Sequence, residues 1–319
     1  MKQVFVVTML LIYTGVSAQS EPLKVVTTFS VLGDLVQNVA GDNVDLTVLV
    51  GPDADSHNYE PSPADIVTLG DADVIVENGL EFETWLDDLV TSSGADATRV
   101  VASDGVEPLP ASELEEHEGE EAEDEEHEGE EGEAHEGEDE HGEFDPHVWH
   151  DMQNAMKMVE TIRAALVETD PANAESYNAN AEAYTAELET LDTYIQEQVA
   201  TVPEARRKLV TSHDTFGYFA RRYGFEVVGT VLPVSTEAAD PAAGELATLI
   251  DEIEATGVPA IFAENVTNPD LLEQVASSSG VMVAPPLYTD ALGTPDSSGG
   301  TYLEMARYNV DTIVQALGE

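Results

Sequence analysis

Short, almost uninterrupted β-branched runs alternate with helical patterns twice along this chain, and a long helical stretch separates the two sets. KVVTTF (24–29), DLTVLV (45–50), ADVIVEN (72–78) and TRVVAS (98–103) form the first set. KLVTSH (208–213), FEVVGTV (225–231), VPAIFAEN (258–265) and VMVAPPLY (281–288) form the second. Strands apolar at successive positions are buried on both faces, as in a parallel sheet covered by helices. Helices are expected around 32–40, 62–70 and 82–92, over 152–168 and 171–200, and from about 300 to 317. Asp170-Pro171 is a start signal for the long helix. Within it Tyr177, Ala181, Tyr184, Leu188, Leu191 and Ile195 step by four and three, which makes one apolar stripe. The pattern predicts an α/β fold of two lobes, each with a parallel sheet flanked by helices, joined by a long helix and sharing a cleft. The boundaries are an N-terminal lobe over 22–150, a helical segment over 151–200 and a C-terminal lobe over 201–319. The length, 319 residues, suffices for two ordinary cores.

Charge limits the partners. The chain carries 65 acidic and 11 basic residues, a formal net charge of −54. A tract from 113 to 143, ELEEHEGEEAEDEEHEGEEGEAHEGEDEHGE, supplies 19 of the carboxylates, so acidity also marks the rest of the surface. Such a surface repels nucleic acid and anionic lipid and attracts cations. The N-terminus, MKQVFVVTMLLIYTGVSAQS, has an early lysine, an apolar run from Val4 to about Val16 and small residues up to Ala18. This is the pattern of a signal peptide spanning 1–18. The chain has no cysteine, which excludes disulfides, thiolate metal sites and a lipid-modified N-terminal cysteine. The expectation is an exported, soluble protein that is not a lipoprotein.

Ligands of open parallel sheets sit beyond the carboxyl ends of the strands. Three candidate residues fall there. His57 lies in GPDADSHNYEPSP after DLTVLV, His213 ends KLVTSH, and Asp290 follows VMVAPPLY. A fourth, His147, lies in FDPHVWHD just before a helix. Two loops come from each half, so a cation bound by all four would bridge the lobes. Three imidazoles and one carboxylate suit tetrahedral zinc. His150, three residues after His147, reads either as a group that supports the ligands from behind or an alternate ligand, or as an exposed residue before the Asp151 helix cap. Glu264, at the end of a strand, reads either as the group that orients His213 or as a solvated carboxylate. Tyr59, Trp149 and Phe216 are expected to wall the site, and loop solvation accounts for Asp55 and Glu60.

GPDADSHNYEPSPAD, NGLEFETWL, DPHVWHD, TSHDTFGYFARRYG and LYTDALG, in this order, resemble the metal-binding proteins of zinc and manganese ABC importers. The resemblance covers 22–318. It implies two lobes joined by a rigid helix, one metal in the cleft, and His57, His147, His213 and Asp290 as its ligands. Manganese-specific members often carry glutamate at the third ligand position, so His213 favours zinc, with manganese the alternative cargo. It also implies a membrane-embedded ABC permease as partner of a monomer, and the absence of the anchor cysteine that some members carry implies a protein free in the periplasm.

The tract cannot offset its ordering entropy by burial and is expected to be disordered. Its histidines, His117, His127, His135 and His141, each have acidic neighbours that favour protonation, so they are expected to form weak accessory sites. Many zinc-importing members carry a His- and acid-rich loop here, which implies a cation collector or sensor; a solvated acidic loop is the plainer reading. Capture and delivery of zinc without chemistry is the expected function. The rivals are a zinc hydrolase with Asp290 or Glu264 as general base, and a metal-buffering or adhesion protein in which the tract is the main actor.

Overall fold

The computed structural model describes residues 21–111, 143–232 and 241–318. The expected signal peptide and the histidines of the acidic tract lie outside the described residues.

The first sheet contains β1 (Leu23–Phe29), β2 (Val44–Val50), β3 (Val74–Glu77) and β4 (Thr98–Val101), in the order β2-β1-β3-β4. The second contains β5 (Lys208–His213), β6 (Glu226–Leu232), β7 (Ala260–Glu264) and β8 (Met282–Leu287), in the order β6-β5-β7-β8. All pairings are parallel, and the two sheets repeat the same strand order. β1, β3 and β7 are nearly or wholly buried, as their continuous apolar runs predict, while the edge strand β2 alternates. Pro285 and Pro286 fall in β8, at a sheet edge and where its register with β7 shifts, the two kinds of place in a sheet that tolerate a missing N–H.

Helices α1 (Ser30–Ala40), α2 (Pro63–Gly70) and α3 (Leu86–Ser93) belong to the first sheet. α6 (Gly217–Tyr223), α7 (Ala243–Thr256) and α8 (Asp270–Ser279) belong to the second. Between the sheets run α4 (Met152–Thr169) and α5 (Ala174–Val199), and α9 (Tyr302–Gly318) ends the described chain. Every residue of the α5 stripe is buried. Two boundaries differ from expectation. Asp170 and Pro171 precede the long helix, which starts at Ala174, because the Asp170 carboxylate accepts from the Asn173 side chain and the Tyr177 hydroxyl and holds a turn there. The expected helix over 82–92 starts at Leu86, because residues 79–81 form a turn with positive φ at Gly79, Leu80 and Glu81. The Glu83 carboxylate closes that turn by accepting the backbone N–H of Asn78 at 2.7 Å and of Gly79 at 3.2 Å.

The apolar core is continuous between the lobes. Phe29, Leu32 and Val76 of the first sheet layer share one buried cluster with Tyr184 and Leu188 of α5 and with Leu209, Phe262 and Leu287 of the second. Smaller clusters lie under α2 and α3 on one side and α7 and α8 on the other. Among the described residues no helix is long and apolar enough to cross a membrane.

Candidate metal centre

Four separate segments deliver four side chains to one point. His57 comes from the segment after β2, His147 from just before the 3-10 turn Val148–His150, His213 from the last position of β5, and Asp290 from just beyond β8. One ligand atom from each lies within 4.8 Å of the others, and all four residues are buried. The three imidazole Nε2 atoms face the Asp290 carboxylate, at 3.4 Å from His57, 3.6 Å from His147 and 3.1 Å from His213. His57 Nε2 and His147 Nε2 are 3.3 Å apart.

This arrangement fits a cation. His213 Nε2 and Asp290 Oδ2 are close in distance yet not aligned as a hydrogen bond, and both atoms are buried with no hydrogen-bond partner among the described residues. Buried polar atoms without partners are costly, and a metal satisfies both at once. The donor set, three imidazole nitrogens and a carboxylate, is one that zinc accepts.

Electrostatics couple the four groups. Burial opposes charge on His213, but Glu264 and Asp290 outweigh it and hold its pKa well above the usual imidazole range. Burial likewise opposes charge on Asp290, and His213 and His147 hold its pKa well below the carboxylate range. His147 is held well below its usual value, chiefly by burial. Both directions have one cause, the attraction between a cationic imidazole and the carboxylates around it, and a bound cation would take over that role.

Two imidazoles are braced from behind. Glu264 Oε2 hydrogen-bonds His213 Nδ1 and its Oε1 accepts the His213 backbone N–H at 3.0 Å. Asp145 does the same for His147, with Oδ1 2.8 Å from Nδ1 and 2.9 Å from the backbone nitrogen. Such carboxylates leave the outward nitrogen free to ligate. Burial pushes the Asp145 carboxyl up to about 7. Sequence reasoning missed Asp145, although its place two residues before His147 is the signal that could have found it.

His150 is buried, so the reading of an exposed residue before the helix cap is corrected; Asp151 does cap α4 by accepting the Gln153 N–H. His150 Nε2 lies 3.3 Å from the Thr215 hydroxyl, which reaches Asp290 Oδ1 at 3.5 Å, and the ring stands outside the four-residue cluster. Burial lowers its pKa to about 3 and keeps it neutral. Trp149 walls the centre against His147, ring centroids 5.4 Å apart, and Phe216 packs on His150 at 4.7 Å. Tyr59 instead packs on Trp85, and its hydroxyl donates to Asp65. The place against His57 belongs to Phe82, at 4.7 Å, a residue not singled out in the sequence.

The chain matches the family described as zinc-uptake complex component A, periplasmic, over residues 25–316. It is 39% identical over 306 residues to the manganese-binding lipoprotein MntA of Halalkalibacterium halodurans, covering 96% of this chain and 92% of the relative. It is 33% identical over 315 residues to the iron-binding protein YfeA of Yersinia pestis, covering 97% and 93%. The periplasmic zinc-binding protein TroA of Treponema pallidum superposes with a TM-score of 0.80 at 31% identity, covering 94% of this chain and 100% of that one. The lipoprotein name of the first relative runs against the expectation of an unlipidated protein; the 319 residues contain no cysteine. The chain belongs to this family of extracytoplasmic metal-binding proteins, which are the substrate-binding components of ABC transporters and not enzymes.

Proposed function

We propose that this protein captures zinc in the interlobe cleft through His57, His147, His213 and Asp290 and delivers it to a membrane-embedded ABC permease. The observation that carries the reading is the buried cluster of three imidazole nitrogens and one carboxylate, with no oxygen ligand in place of His213. Nitrogen donors favour zinc over the harder manganese ion. The manganese-binding relative at 39% identity makes manganese the second reading. The protein acts as a monomer, free in the periplasm, and the acidic tract adds weak, exchanging sites.

A competitive zinc and manganese titration, with and without residues 113–143, tests this. The expected result is one tight zinc site per chain in both forms, with weak extra sites only when the tract is present. The fold supports such a deletion, since Pro110 bridges Phe144 and the two ends of the tract already lie side by side; the bond from Ala111 N–H to Glu143 O, at 3.1 Å, leaves with the tract. Loss of tight binding on deletion would move the function into the tract. Manganese outcompeting zinc would establish the second reading.

Capture also depends on pH with a definite sign. His213 has a raised pKa in the cation-free protein, so its proton must leave before Nε2 can ligate. Affinity therefore falls as pH falls, by up to about tenfold per unit for each proton displaced. Calorimetry at neutral pH in two buffers of different ionisation heat should show at least one proton released per zinc. No release would mean that His213 is already neutral or does not ligate.

A further inference from the structure

The four candidate ligands are not held alike. His147 and His213 each have a carboxylate that grips both the ring Nδ1 and the backbone N–H of the same residue. Glu264 is itself fixed by the Thr289 hydroxyl at 3.2 Å. Asp290 lies at the centre, with Thr215 behind it. His57 has no such grip: among the described residues no hydrogen bond reaches its Nδ1, and Asp55 accepts its backbone N–H at 2.9 Å. Packing holds this ring instead, chiefly the edge-to-face contact with Phe82.

The backbone is unequal too. Residues 51–62, which carry His57, contain neither helix nor strand, whereas His213 is the last residue of β5. This loop is tied to the opposite lobe through Asp53, whose N–H donates to Leu292 O at 2.8 Å and whose Oδ1 accepts from Asn265 at 3.0 Å. Any parting of the lobes pulls on the loop that bears His57. A clamped imidazole must break charge-assisted hydrogen bonds to swing away, and an unclamped one has only ring packing and its metal bond to lose.

We propose that His57 is the exchanging ligand: His147, His213 and Asp290 capture the cation, and His57 closes on it last and leaves it first. This rests on the four-ligand reading above. The test compares His57→Ala, His147→Ala and His213→Ala in the full chain, using cobalt spectra for coordination and chelator-driven zinc release for rate. His57→Gln and His213→Gln repeat the comparison with most of the side-chain volume kept.

His57→Ala is expected to retain one bound cobalt with an altered spectrum and to release zinc about tenfold faster or more. The His147 and His213 variants are expected to lose about a hundredfold or more in affinity. If the His57 variants lose as much affinity as those at His213, the ordering is overturned while the four-ligand site stands. If none of the variants changes binding or release, the site reading falls and the ordering falls with it.

Discussion

Replacing Asp290 with asparagine should lower zinc affinity by about a hundredfold to a thousandfold, or roughly 3–4 kcal/mol, in the range that breaking a buried ion pair costs. The change keeps the shape and one oxygen and removes the negative charge that all three imidazoles face. It acts on the cation-free state as well. Glu264 is then the remaining carboxylate among the causes that raise the His213 pKa, so His213 should titrate at a lower pH than in the native protein. A competitive titration measures the first effect, and the number of protons released per zinc at neutral pH measures the second. An affinity within a few-fold of the native value would remove Asp290 from the site.

The other large effect is expected at Trp149. Its ring is wholly buried, packs on Phe29 and Phe82 at 5.0 and 5.1 Å, and donates Nε1–H to Thr289 O at 3.0 Å. Its carbonyl accepts the Tyr302 hydroxyl of α9. Trp149→Ala should cost about 3–5 kcal/mol of stability, from lost burial plus the cavity left behind. Trp149→Phe should recover most of the packing and retain a penalty of about 1–3 kcal/mol for the unpaired Thr289 carbonyl. Denaturant midpoints at constant m-value report both. A loss below about 1 kcal/mol for the alanine variant would mean that the surroundings collapse into the space. Because Trp149 also walls His147, the alanine variant should bind zinc more weakly even where it remains folded.

Much of the architecture was legible because β-branched runs and the α5 stripe are local signals. β1 and β5 fall within one residue of the expected ranges, and the parallel sheets follow from continuous apolar burial. The four clustered residues were legible as well, since three follow strand ends and the fourth opens a helical segment. What stayed hidden depends on distant partners. The Gly79–Glu81 turn is closed by Glu83, whose other oxygen contact is the Thr28 hydroxyl from β1. Asp145 can brace His147 because the Tyr218 hydroxyl, from the other lobe, donates to the Asp145 carbonyl and accepts the Leu109 N–H. His150 looks like a surface residue in DPHVWHD until Thr215 and Phe216 cover it.

The continuous core has a thermal consequence. Two lobes with separate interiors could melt independently, each at its own temperature. Here Phe29, Leu188 and Phe262 are parts of one apolar body, so loosening either sheet exposes surface belonging to the other. Heating should disrupt both halves in one cooperative transition, and a bound cation, by favouring the native state through mass action, should raise the melting temperature of the whole molecule. Heat resistance and cargo occupancy are then two readings of the same equilibrium.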